Sequence, residues 1–249
     1  MEKVIAVVPV APMRAEASHR SEMVSQLLFG ETAEIIEATS NFTKVKTDAD
    51  NYVGWVQNAQ LVSLSEDEAA MKILGFAMEN GYIHFNGQRM FVSVGTPILD
   101  SKNMGKFTVD YKNIPYQKSL SFSEDAFKKL AFPLLNTSYL WGGRSAFGLD
   151  CSGFVQLIFR FFSRQLPRDA VLQAAFGDTI DFLEQARCGD LAYFDNAEGQ
   201  IIHVGILLDT RTIIHASGNL RIDKIDTDGI VNVDTGLRTH HLRIIKRIA

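Results

Sequence analysis

Cys151 is the residue from which a chemical reading of this chain starts, because a thiol becomes a nucleophile once a base stands beside it. It follows the loop Trp141-Gly-Gly-Arg-Ser-Ala-Phe-Gly-Leu-Asp150 and opens an apolar run. Cys151, Phe154, Val155, Ile158, Phe159 and Phe162 recur at i, i+3, i+4, i+7, i+8 and i+11, which is one face of a helix. The thiol is therefore expected in the first turn, where free backbone N–H groups and the positive dipole end favour a thiolate. Such a position can lower a thiol pKa from ~8.5 to roughly 3.5–7.5. The plain alternative is an inert, buried cysteine. The candidate bases are His203, in Ile201-Ile-His-Val-Gly-Ile-Leu-Leu208, and His215, in Thr212-Ile-Ile-His-Ala-Ser217. Both runs read as strands, and Asp209-Thr-Arg211 supplies a turn between them. A hairpin would set the two imidazoles side by side, so that one ring fixes the tautomer of the other. For either histidine alone, a hydrogen-bonded structural side chain is the better reading. A metal pair is the weaker reading, since the chain has neither a His-Glu-x-x-His helix nor a Cys-x-x-Cys pair. No metal or organic cofactor is expected.

The elements that must position these groups can be read coarsely. Residues 1–64 look all-β, with runs at Val4–Val10, Ala33–Glu37, Phe42–Lys46 and Tyr52–Val56 separated by turn-prone stretches. Closely spaced short strands suggest a small barrel, because closure removes exposed edges. Ser65-Glu-Asp-Glu68 reads as a capping box. The stripe of Met71, Leu74 and Met78 predicts a helix that Gly81 ends. Residues 82–118 return to β-like composition, either as linking strands or as an eroded second module. A helix is expected from Ser123, with Phe127, Leu130 and Ala131 on one face and Pro133 disturbing its end. Cys188 reads as a small buried filler, and His19, His84, His240 and His241 as surface histidines.

Six ordered motifs bear a family resemblance. Tyr139-x-Trp-Gly-Gly, Asp150-Cys-Ser-Gly-Phe154, Leu166-Pro-Arg-Asp169, Gly189-Asp-Leu-Ala-Tyr-Phe194, His203-Val-Gly-Ile206 and His215-Ala-Ser217 follow the order found in NlpC-type cysteine peptidases. Arg14-Ala-Glu-Ala-Ser, Leu27-Leu-Phe-Gly-Glu31 and Tyr52-Val-Gly-Trp-Val56 resemble a bacterial SH3-like domain. The combination looks most like the γ-D-glutamyl-L-diamino-acid endopeptidases of the dipeptidyl-peptidase VI type. It implies an α+β chain: an SH3-like barrel at 1–64, a helical linker and β-rich connection at 65–121, and a papain-like catalytic domain at 122–249. Cys188 departs from the pattern, standing where the family often has Pro.

Carried over by position, the resemblance makes Cys151 the nucleophile, His203 the general base and acid, and His215 its orienter. Tyr139 would support the oxyanion. Glu16 and Tyr52 would close around a free L-Ala amine, and Asp150, Ser152, Asp169 and Ala170 would meet the substrate. Asp169 reads alternatively as a helix N-cap for 170–175, and Glu16 as a solvated turn acid. Tyr139 and Trp141 read alternatively as core packing before a glycine turn.

Composition sets the outer limits. With 25 Lys+Arg against 29 Asp+Glu the chain is not a basic coat for nucleic acid or anionic lipid. Two cysteines make no disulfide framework. No run approaches the ~18–20 apolar residues of a membrane span, and the N-terminal apolar run is broken by Pro9 and Pro12. The expected setting is the cytoplasm. The expected function is hydrolysis of the γ-D-glutamyl–diamino acid bond of murein peptides that carry a free N-terminal L-Ala. Three rivals remain: an endopeptidase on intact peptidoglycan, a non-catalytic peptidoglycan-binding module, and an amidase or acyltransferase of the same superfamily.

Overall fold

The structure is a computed structural model and describes residues 2–248. The chain divides into two compact units. The first runs to Leu120 and includes Trp141–Phe147, and the second comprises Ser121–Leu140 and the residues from Gly148 onward.

The first unit is built from strands β1 (Lys3–Ala6), β2 (Val10–Arg14), β3 (Met23–Leu28), β4 (Thr32–Ala38), β5 (Phe42–Thr47), β6 (Val53–Gln57) and β7 (Leu61–Leu64). They form one sheet in the order β3-β2-β6-β5-β4-β1-β7. Alternation places Val4, Ala6, Ala11, Met13, Val45 and Val56 in its core. The run read as a single strand from Val4 to Val10 is two strands. Pro9 lies between them, and a proline has no N–H for a ladder.

The expected helix over residues 65–81 is corrected to a single turn. Ser65 and Glu68 do form the capping box, but α1 spans only Glu66–Ala69. The apolar residues that follow belong to β8 (Ile73–Ala77), which pairs with β11 (Pro97–Leu99) and β14 (Tyr116–Gln117). A Cβ on Gly75 would lie 2.6 Å from the Gln117 backbone, so glycine is what admits that neighbour. Strand pairing and the burial of Ala77 outweigh a local helical stripe. A second small sheet joins β9 (Gly81–Phe85), β10 (Gln88–Val92), β12 (Asn103–Met104) and β13 (Phe107–Asp110). Ile83, Val92, Met104 and Val109 share a core with Ile5 and Phe29.

The second unit opens with α2 (Glu124–Ala131), capped by the Ser123 hydroxyl as expected and followed by a 3-10 turn at Phe132–Leu134. The two-residue strand β15 (Arg144–Ser145) belongs to the first unit; in the second, the two-residue strand β16 (Gly148–Leu149) precedes α3 (Cys151–Arg160), and α4 (Ala170–Gln173) is one turn long. The remaining strands are β17 (Asp178–Ile180), β18 (Leu191–Asp195), β19 (Ile201–Leu207), β20 (Thr212–Ser217), β21 (Asn219–Asp226), β22 (Gly229–Val231) and β23 (Arg238–Arg247). Their sheet order is β17-β23-β18-β19-β20-β21-β22, and β22 also pairs with β23. Six strands thus close into a ring. Ala192, Phe194, Leu207, Ile213, Ile225, Ile230 and Ile245 form one buried cluster on it.

Candidate active site

Two adjacent hairpins assemble the polar end of that sheet face. In the β19–β20 pair Gly205 stands directly opposite His215, and in the β20–β21 pair Ile213 stands opposite Asp223. Because side chains alternate, His203, His215 and Asp223 fall on one face as diagonal neighbours. A Cβ on Gly205 would lie 2.9 Å from the His215 Cβ, so only glycine lets the imidazole lie across the strand. His203 Nε2 is 2.9 Å from His215 Nδ1, and His215 Nε2 is 3.0 Å from an Asp223 carboxylate oxygen. Asp209 closes the turn by accepting the Arg211 and Thr212 N–H groups, as the sequence suggested.

Asp223 fixes the direction of this chain. Its carboxylate also accepts Arg221 Nε at 2.8 Å, Arg221 Nη2 at 3.0 Å and the Val233 N–H at 2.9 Å. Burial alone would raise its pKa, but the His215, Arg221 and Val233 donors outweigh burial and hold it well below the usual range. An ionised Asp223 accepts the His215 Nε2 proton, which leaves His215 Nδ1 to accept from His203 Nε2. His203 Nδ1 is then the bare nitrogen, available to a thiol.

Cys151 supplies that thiol. Asp150 is the N-cap of α3, accepting the Gly153 N–H at 2.7 Å, so Cys151 is the first helical residue as expected. The Val204 N–H hydrogen-bonds the Cys151 sulfur, which places it against the residue that follows His203. The expected thiolate stabilisation is corrected. Burial, and then the Asp150 carboxylate, push the Cys151 thiol up to about 11 against the opposing Val204 and Ser152 N–H groups. Burial, then His240 and His215, hold His203 well below its ordinary value. Both shifts favour the uncharged form of each group, so the thiol proton is expected to move as the sulfur attacks.

The other expected residues divide between the two units. Tyr139 is half-buried in the second unit, where burial, then Cys151 and Asp150, push its hydroxyl up to about 12. Its backbone bridges to Leu149, two residues before the nucleophile. Asp150 and Ser152 are buried and share one partner, Arg168. Arg168 Nη1 reaches Asp150 Oδ1 at 3.1 Å and Ser152 Oγ at 2.8 Å, and Nη2 meets Asp150 Oδ2. Asp169 stands at the N-cap position of α4 without a capping side-chain hydrogen bond, and Ala170 opens that turn. Glu16 and Tyr52 belong to the first unit. The β2–β6 pair, with Arg14 opposite Trp55, puts both at one end of that strand pair. Glu16 is exposed, and Tyr52 is half-buried against the β-core.

Sequence reading missed three participants and misjudged two other residues. Asp223 and Arg221 carried no motif of their own, and Arg168 lay inside Leu166-Pro-Arg-Asp169 without being singled out. For Asp223 the available signal was its spacing of eight from His215, the span of one more hairpin. His240, expected at the surface, is half-buried with its ring stacked on His203, 4.1 Å between centroids and 25° from parallel. For Trp141 the alternative of core packing does not hold: it is 61% exposed, and its Nε1 donates to Glu22 within the first unit at 2.6 Å. Cys188 is half-buried, not a fully buried filler.

Comparison with known proteins fits this geometry. Residues 136–239 match the NlpC/P60 family, and residues 13–61 match the bacterial dipeptidyl-peptidase SH3 domain. The chain carries an NlpC/P60 peptidase domain behind an SH3-like domain. It is 29% identical over 220 residues to a γ-D-glutamyl-L-lysine dipeptidyl-peptidase of Bacillus subtilis, covering 77% of this chain and 71% of that protein. A protein of the same name from Bacillus cereus is 28% identical over 188 residues, which is half of its length. The probable endopeptidase NlpC of Escherichia coli is 38% identical over 96 residues, 38% of this chain and 62% of the relative. In fold the chain is similar to a crystal structure of an NlpC/P60 family protein from Bacillus cereus, at TM-score 0.82 and 19% identity, covering 98% of this chain and 99% of the other.

Proposed function

We propose that this NlpC/P60 chain is a cysteine peptidase that cleaves the γ-D-glutamyl–diamino acid bond of murein peptides with a free N-terminal L-Ala. The observation that carries the reading is the His203–His215–Asp223 hydrogen-bonded line, with the Cys151 sulfur held by the N–H of the residue after His203. His203 Nδ1 takes the thiol proton as sulfur attacks the γ-carbonyl. His203 Nε2–H stays bonded to His215, and Asp223 stabilises the imidazolium through that ring. The tetrahedral oxyanion meets backbone N–H groups at the start of α3 and the Tyr139 hydroxyl. Its collapse passes the His203 proton to the leaving amine, and water then releases the acyl dipeptide through the same base. Asp150 and Ser152, gripped by Arg168, hold the start of α3 in place for this.

The substrate class is supported by the names of the two Bacillus relatives and by the motifs of the sequence. Glu16 and Tyr52 are the groups assigned to the free amine. Released peptides offer such an amine and intact wall does not, so the setting proposed is cytoplasmic recycling. The test compares L-Ala-γ-D-Glu-Lys with its N-acetylated form, and wild type with Glu16→Gln. Glu16 is exposed, so the substitution leaves the fold alone and reads on substrate. Rapid cleavage of the free-amine peptide, little of the acetylated one, and a selective loss in Glu16→Gln are expected. Equal cleavage of both peptides would favour an endopeptidase on intact murein.

A further inference from the structure

The hydrolysis proposed above gives His240 no proton to carry. His240, on β23, brings a third imidazole to the catalytic pair. Besides stacking on His203 it meets the His215 ring edge-on, with centroids 5.8 Å apart. One ring nitrogen from each of His203, His215 and His240 lies within 4.8 Å of the others. Three imidazoles with a fourth position left to water is the donor set of a zinc-type ion.

The surroundings of the rings follow the same pattern. Histidines that bind metal usually donate their second N–H to a carboxylate or another oxygen, which fixes the tautomer and raises ligand basicity. His215 does this through Nε2 to Asp223. His240 has its Nδ1 2.9 Å from the Thr239 hydroxyl, and an N–H donated there leaves Nε2 as a lone pair. His203 Nε2 and His215 Nδ1 already face each other at 2.9 Å.

We propose that His203, His215 and His240 together bind a divalent transition-metal ion of the zinc type, and that the bound ion switches the proton relay off. The inhibitory half rests on the cysteine-peptidase reading above; the binding half does not. Tetrahedral zinc with nitrogens at about 2.0–2.1 Å holds them about 3.3 Å apart. His203 and His215 must therefore separate slightly, and His240 must turn out of its stack to share the ion. The His203 proton now on Nε2 moves to Nδ1, and His215 keeps its Nε2–H on Asp223, so no proton is gained or lost. A protonated Nδ1 cannot accept the thiol proton. Metal binding and thiol activation thus compete for one ring.

The test has a binding arm and an activity arm. In the Cys151→Ala protein, which removes the thiol as a ligand, zinc ion is titrated by calorimetry and by competition with a metal-sensitive dye. One ion per chain is expected. Loss of an outer partner alone costs about 10–100-fold in metal affinity, so removing a ligand in Cys151→Ala/His240→Gln should weaken binding by at least that factor. In the chain with Cys151 intact, zinc should inhibit turnover and EDTA should restore it. The zinc inhibition constant should rise in His240→Gln by the factor seen in binding, each protein being compared with its own metal-free rate. Binding that is absent, or unchanged by His240→Gln, overturns the site. Inhibition equal in both proteins places the ion on the thiol instead and overturns the switch. A chain inactive on every peptide would refute the peptidase reading and leave the binding arm intact.

Discussion

Asp223→Asn is the substitution on which the relay argument turns. The carboxylate receives four donors: His215 Nε2 and Arg221 Nε at Oδ2, and Arg221 Nη2 and the Val233 N–H at Oδ1. An amide offers one acceptor oxygen and one NH₂ group. With NH₂ at the Oδ1 side it faces two donors that cannot change, a guanidinium and a backbone N–H. With NH₂ at the Oδ2 side it faces Arg221 Nε and His215, and His215 can change tautomer. The second orientation is the less costly, and it turns His215 into an Nδ1–H donor. His203 Nε2 must then accept, its proton moves to Nδ1, and the thiol loses its base. A wrong tautomer in a hydrogen-bonded triad costs about 10⁴ in kcat. Allowing for one extra ring in the line, we expect a loss of about 10³–10⁴, equivalent to ~4–5.5 kcal/mol on the barrier. KM should change little. The assay is steady-state release of the diamino acid from L-Ala-γ-D-Glu-Lys, with circular dichroism to verify the fold. A kcat within threefold of wild type would refute the relay.

Further outcomes follow from the same geometry. His203→Ala should abolish turnover, whereas His215→Ala should keep a residual rate because it orients and does not transfer the thiol proton; the reverse ranking in kcat would exchange their roles. With the Cys151 thiol at about 11, its alkylation by iodoacetamide in EDTA-containing buffer should rise about tenfold per pH unit from 7 to 10, as the thiolate fraction does below its pKa. A plateau already at pH 7, read by mass spectrometry, would mean a preformed thiolate–imidazolium pair. Arg168→Met leaves Asp150 buried without its cation, and removing one partner of a buried pair costs about 3–5 kcal/mol. Urea unfolding should show that loss, and a change under 1 kcal/mol would remove Arg168 from the support of α3.

The sequence revealed the site where one local rule sufficed. The apolar recurrence from Cys151 to Phe162 could only be a helix face, and two β-like runs joined by an Asp-led turn could only pair. It was silent where a contact depends on strands brought together by a ring closure. Asp223 and His240 lie on β21 and β23, and nothing in their own neighbourhoods marks which way they face. It misled where a pattern served two structures. Met71, Leu74 and Met78 recur as in a helix, yet Ile73 and Phe76 suit a strand, and the pairing of β8 with β11 and β14 decides. The thiol is the instructive case at the level of charge. Its helix position was read correctly, and burial reversed the expected consequence.

The pairing of β22 with β23 has a consequence for how the second unit opens. An open sheet frays from its edge strands inward, but a ring offers β18–β22 no free edge from which to begin. Amide hydrogen exchange should therefore divide the unit sharply. Protons on β17, which among the described residues pairs with β23 alone, should exchange through local opening. Those of Ile206 and Ile214 should exchange only when the whole ring comes apart, with similar free energies. The nitrogens that handle the catalytic proton would then share the lifetime of the most slowly opening part of the chain.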